Sequence, residues 1–170
     1  MKKAAIIILA VFLLFTVASC EPSAYVLTED TFFLVMSNIR VYPAQYEGKD
    51  ITFESFTYRL TDVEGKDHYC CVRKCSAEFG CRCGKDTIIG FILDYDGDIP
   101  EPRNQSEDTV EKTWIHTTGK LVFTDGYEPT LISIYAADGV TVEKVPFFVY
   151  HARELSLVEN YSDLNYYVTK

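Results

Sequence analysis

The ten residues from Ile51 to Leu60, ITFESFTYRL, set Ile51, Phe53, Ser55, Thr57 and Arg59 against Thr52, Glu54, Phe56, Tyr58 and Leu60. A period of two, carried by aromatic and β-branched residues, fits a half-buried strand, because alternate side chains share a face in extended chain. The runs on either side have the same character and are separated by turn chemistry. TFFLVMSNIRVY, from Thr31 to Tyr42, is expected to open the domain as a strand, with a turn around Gly48-Lys49-Asp50 after it. A second turn, TDVEGKD, leads into the strand HYCCVRKC, and TIIGFILDYD is a buried-looking strand whose Gly90 suggests a bulge or sharp bend. Beyond the polar loop GDIPEPRNQSEDTVE, KTWIHTTGKLVFTD reads as a strand pair or as one long strand bent at Gly119. TLISIYAADGVTVEKV reads as a hairpin across Ala137-Asp138-Gly139, and Val145–Tyr150 is expected to close the sheet. The tail from His151 to Lys170 is expected to hold one short helix in ARELSLVENY, or a final strand. No segment has the βαβ rhythm of a nucleotide-binding sheet, so about six short strands with glycine-marked bends predict an all-β sandwich or small barrel.

The N-terminus bears on the compartment. Met1-Lys2-Lys3 is followed by an apolar run from Ala4 to Val17, broken only by Thr16, and then by Val17-Ala18-Ser19-Cys20. A positive start, a short apolar core and small residues make a signal-peptide pattern, and its last four residues resemble a bacterial lipobox. That resemblance implies cleavage after Ser19 and lipid on Cys20. An ordinary secretory signal with an incidental cysteine is the alternative, and either exports the chain. The expected divisions are a signal peptide at 1–19, a lipidated tether at 20–30, a barrel domain at 31–150 and an extension at 151–170. A chain of this length makes one domain with a core large enough to need no staples. Loss of Lys2 and Lys3 takes the formal net charge from −9 to −11. Such an acidic domain has no basic footprint with which to displace counterions from nucleic acid. An anionic membrane surface would repel it too, so attachment is expected to rest on the acyl chains.

Several short motifs recur in order along the chain: Tyr46, Gly48 and Lys49; Phe56, Tyr58 and Arg59; Cys81, Cys83 and Asp86; Gly90 and Phe91; Trp114 and Gly119. From Tyr42 to Tyr150 this order resembles a bacterial family of small exported or membrane-tethered proteins with an OB-like β-barrel. That family includes the C-terminal domain of two-component permease subunits. The resemblance implies an OB-like closed or partly open barrel and a permease as partner, and it points weakly to transition-metal supply. This chain departs from the pattern in splitting the paired cysteines as Cys81-Arg82-Cys83 and in carrying Cys70, Cys71 and Cys75 as well.

Five of the six cysteines lie between His68 and Asp86. In an exported domain cysteines are expected to form disulfides. Five cannot all pair, however. Adjacent Cys70 and Cys71 would close a strained ring, and Cys81 with Cys83 would need an unusual backbone; Cys71 with Cys81, or Cys75 with Cys83, are easier. The same residues offer a metal site. Residues i and i+2 of a strand share a face, so Cys81 and Cys83 would present two thiolates to meet Cys71 and Cys75, with Cys70 and His68 as alternates. Zinc takes four tetrahedral N or S ligands, and thiolates also suit Cu(I). Thiol-redox chemistry is the third option, although no Cys-x-x-Cys is present.

Other motifs carry less. Asp94-Tyr95-Asp96-Gly97-Asp98 lacks the glycine and glutamate positions of a calcium loop and reads as an acidic turn. His116 has no nucleophile-elbow serine to serve and reads as structural, so no catalytic residue is assigned. The expected function is therefore a non-enzymatic, extracytoplasmic binding or accessory module, handling a transition metal beside a permease. The alternatives are a disulfide-stabilised protein-interaction module and a thiol-redox protein.

Overall fold

Strand β2 (Asp50–Thr61) is the one on which the others are assembled. In this computed structural model, which describes residues 23–75, 87–124, 126–164 and 166–168, its first half pairs antiparallel with β5 (Trp114–Val122). Its second half pairs with β3 (Asp67–Cys75), from Phe56 opposite Val72 to Thr61 opposite Asp67. β3 continues to β4 (Thr87–Asp94) and β5 to β8 (Val149–Leu157), both antiparallel, while β4 and β8 lie side by side in parallel. The result is a ring of five strands, β2–β3–β4–β8–β5, in an all-β, barrel-like fold of OB-like type. A parallel pair needs a crossover connection, and the chain between β4 and β8 supplies it.

One seam of the ring is open. Beyond the pair Phe56–Val72, β2 and β3 separate. The free edge of β2 is taken in parallel by β1 (Ala24–Leu27), and that of β3 by β9 (Tyr167–Val168). The helix α1 (Glu29–Val41) packs against both of these added strands and bridges them.

That helix corrects the strand expected from Thr31 to Tyr42. Phe33, Val35 and Ile39 favour strand by composition, but Phe32, Met36 and Ile39 recur at helical spacing and all three are buried in the barrel core. The ends are also helical in chemistry. The Thr28 backbone N–H donates to Thr31 Oγ1 at 2.8 Å, Glu29 and Asp30 occupy the first turn, and Pro43 follows the C-cap Tyr42 and opens a 3-10 turn, Pro43–Tyr46. Of the two expectations for the tail, the final strand is the one present: Ala152–Leu157 continues β8 and forms no helix, so the ring runs past Tyr150, and it is β8 rather than Val145–Tyr150 that closes it. The expected hairpin is present as β6 (Thr130–Tyr135) and β7 (Val142–Phe147), which pair only with each other among the described strands. A lone two-stranded hairpin is marginal by itself. This one is held to the body where the Val63 N–H donates to the Ser133 carbonyl at 2.9 Å.

Apolar side chains collect on both sides of the sheet. Inside, Ile51, Phe53, Phe91, Ile115 and Tyr150 meet the helix residues; the Phe53, Phe91 and Tyr150 rings lie 5.2–5.7 Å apart, and the Tyr150 hydroxyl donates to the Ile51 carbonyl at 2.7 Å. Outside, Phe56, Cys70, Val72 and Trp114 are covered by Val158, Tyr161, Leu164 and Tyr166 of the tail. β2 keeps its alternation: Ile51 and Phe53 of the odd face are interior, Phe56, Tyr58 and Leu60 of the even face lie under the tail, and Arg59 and Thr61 at its far end are exposed. The loop before β5 is pinned by polar contacts. Gln105 clamps both the N–H and the carbonyl of Arg59 at 2.8 Å, and buried Lys112 donates to the carbonyls of Asn104 and Glu107.

Candidate functional site

The cysteines come first because the sequence gives them most weight. Cys20, Cys81, Cys83 and Asp86 lie outside the described residues. Cys70, Cys71 and Cys75 all sit on β3 and are all buried. Cys71 and Cys75 belong to the interior cluster and Cys70 to the outer one, so the adjacent pair points to opposite faces. Four residues of extended strand separate the Cα atoms of Cys71 and Cys75 by about 13 Å. Thiolates on one zinc or copper ion must each lie about 2.3 Å from it, so these two do not serve one ion together. Strand rise thus keeps Cys71 and Cys75 from sharing one ion within the expected four-cysteine set, whose other members, Cys81 and Cys83, lie outside the described residues. Burial pushes the Cys70 thiol up to about 12. Burial pushes Cys71 still further, and neighbouring Cys70 adds to it, while its Sγ approaches the Phe91 carbonyl at 3.8 Å. Burial of this kind favours the neutral thiol over the thiolate that a redox nucleophile needs.

His68, the nitrogen alternate, is occupied elsewhere. Its Nε2 lies 3.0 Å from Asp62 Oδ2, and the other Asp62 oxygen accepts from the backbone N–H groups of Glu64 and Lys66. These bonds hold the Asp62 carboxyl below the usual carboxylate range, the hydrogen bond to His68 most of all. The unit is a hairpin-turn lock. Among the described residues no three His, Cys, Asp or Glu side chains gather as a metal site. His116 is exposed, with Nδ1 3.8 Å from Glu54 Oε1, and Asp94 of the acidic turn receives His151 Nδ1 at 2.9 Å. Trp114 is fully buried, its Nε1–H donating to the Val110 carbonyl at 2.8 Å. Gly90 and Gly119 are points where two strands approach closely.

What the structure assembles instead is a cleft of about 590 Å3 against the outside of α1. One wall is the helix face Phe33, Met36, Ser37 and Arg40, whose spacing of three, one and three places them in line. The opposite wall is the start of β4, from Thr87 to Gly90, and the end of β7 with the residue that follows, from Val145 to Phe148. The volume is in the range of small-molecule sites, roughly 300–1,000 Å3, and the lining has the expected character: mostly apolar with a few polar groups. Among the described residues Ser37 and Thr87 are the hydroxyls of the lining, and Arg40 is its one charged residue. The sequence reading missed this site because it took residues 31–42 for a strand; the i, i+3, i+4, i+7 pattern of 33, 36, 37 and 40 was the available signal. A second hollow, about 400 Å3, is lined by Glu29, Asp30, Glu54, Arg73, His116 and Asp163, with Arg73 Nη2 3.8 Å from Glu29 Oε1 and His116 Nδ1 3.8 Å from Glu54 Oε1.

Comparison of the chain with family models, with curated proteins and with solved structures gave no match.

Proposed function

We propose that this chain is a non-enzymatic binding module of the bacterial cell envelope, anchored by lipid on Cys20, whose OB-like domain takes up a small, largely apolar ligand in the α1–β4–β7 cleft. The observation that carries the reading is the cleft itself: about 590 Å3, walled by Phe33, Met36, Ile88, Ile89 and Phe147, and with no catalytic grouping among the described residues that line it. The lipid anchor is supported by Lys2-Lys3, the apolar run to Val17 and Ala18-Ser19-Cys20. A membrane protein such as a permease is the natural recipient of a tethered ligand carrier, as the motif resemblance to permease-associated domains suggests.

The two parts are tested separately. Cys20→Ser should move the full-length chain from the membrane fraction to the soluble one when expressed in a bacterium; retention on the membrane at wild-type level sinks the lipid anchor. Nile red, an uncharged apolar dye, should bind the full chain one to one with a Kd in the micromolar range. Ser37→Trp fills the mouth with an indole and should weaken that binding about tenfold or more, whereas Ser37→Ala should leave it unchanged. Dye binding that survives Ser37→Trp with an unaltered Tm means the cleft is not the ligand site.

A further inference from the structure

The cleft also has a charge pattern that specifies its ligand. The chain carries 25 Asp and Glu against 16 Lys and Arg, yet among the described residues that line the cleft none is acidic and the single charged one is a cation. Arg40 is exposed at the last turn of α1 and forms no ion pair among the described residues, unlike Arg59, Arg73 and Arg153. Ser37 lies one turn before it on the same face and offers a hydroxyl donor. An apolar cleft with one exposed guanidinium in its lining, unpaired among the described residues, fits a molecule that is apolar along its length and negative at one end.

On the reading of the cleft as a ligand site, we infer that it selects a free single-chain amphiphile with a carboxylate head, such as a medium- or long-chain fatty acid. Arg40 clamps the head and the chain lies along Phe33, Met36, Ile88, Ile89 and Phe147. The planar guanidinium presents parallel N–H groups that match a carboxylate in bidentate fashion, a geometry an ammonium does not reproduce. Acyl length is read by burial: each methylene taken from water tightens binding by about fourfold until the trough is full. The acidic surface elsewhere works against the same anion, which confines it to this one site.

The experiment is equilibrium dialysis of the full-length chain against labelled decanoate, dodecanoate, dodecan-1-ol and dodecyltrimethylammonium, each below its aggregation concentration. Dodecanoate should bind one to one, about tenfold tighter than dodecan-1-ol and tighter still than the ammonium, with decanoate weaker by roughly an order of magnitude. Arg40→Gln should erase the advantage of the carboxylate and leave dodecan-1-ol binding and Tm unchanged, since Arg40 is exposed and outside the core; Arg40→Lys should keep part of it. Equal binding of alcohol and carboxylate, preference for the ammonium, or a carboxylate preference untouched by Arg40→Gln overturns the head-group assignment while leaving the cleft as a site. Failure of all four amphiphiles and of Nile red removes the cleft reading itself, and this inference with it.

Discussion

Gly119→Ala is expected to destabilise the domain by roughly 3–5 kcal/mol, enough to lower Tm by about 10 °C for a chain of this size. A Cβ built on Gly119 would sit 2.1 Å from the His151 carbonyl oxygen and 2.8 Å from Ala152 Cα. Both are backbone atoms of the neighbouring strand β8, so no side chain can swing aside to relieve the overlap. The ladder is already irregular there, with a register shift between Thr118 and Gly119 that lets β5 bend as it crosses β8. Gly90 repeats the arrangement on the other side of the ring, with the Cys71 carbonyl oxygen at 2.1 Å and Val72 Cα at 2.8 Å, and Gly90→Ala should cost a similar amount. Small rings need such points, because a side chain on every residue would hold neighbouring strands too far apart to turn the corner. Gly97→Ala is the control. Its Cβ would meet the ring of Tyr95, which can rotate away, so a loss below about 1 kcal/mol is expected. Chemical denaturation of the three variants decides the matter. If Gly119→Ala and Gly97→Ala unfold at the same midpoint as the parent, the strands do not approach as closely as described.

The same glycines show how far the sequence could be read. Their positions within runs of β-branched and aromatic residues were legible as bends, and the class of fold followed from those runs. What the bends accomplish was not legible. It depends on which carbonyl of which other strand arrives opposite, and that pairing is long-range. The helix is a different kind of miss. Residues 31–42 contain both a strand-like composition and a helix-like spacing, and the deciding terms were the Thr28–Thr31 cap and the open seam that needed covering. Composition registers the first ambiguity and is blind to the second. For the cysteines, the strand HYCCVRKC was legible, and its alternation puts Cys71 and Cys75 on the interior face and Cys70 on the outer one. Burial, which sets their chemistry, came from strands far away in sequence. The cleft was hidden for the same reason as the helix, since one of its two walls is the helix face.

Arg73 is the residue that makes the open seam tolerable, and Arg73→Met should cost about 2–3 kcal/mol, or some 5–10 °C in Tm. β1 covers β2 as far as Phe53 and β3 covers it from Phe56 onward, which leaves Glu54 and Ser55 without a strand on that side. The buried guanidinium fills the gap. Its Nη1 donates to the Glu54 carbonyl at 3.1 Å, Nη2 lies 3.8 Å from Glu29 Oε1 at the start of α1, and the Trp114 ring is 5.0 Å from Cζ. One side chain of β3 therefore ties β2, β5 and the helix start together, and the helix start follows directly on β1. Burying a cation has a cost that methionine would avoid, and this sets the upper bound on the effect. Against that, methionine leaves the Glu54 carbonyl without its donor and removes the contact with Trp114, and the sum favours arginine. Lysine should recover less than half, because an ammonium cannot stack its plane on indole while donating sideways. The location of the damage separates this account from a general loss of packing. In Arg73→Met, amide hydrogen exchange should quicken first in residues 24–32, where β1 and the first turn of α1 lose their tie, while β5 and β8 keep their protection. Uniform quickening across the ring, or a Tm within a degree of the parent, would mean that the seam is closed by the strands and helix without the arginine.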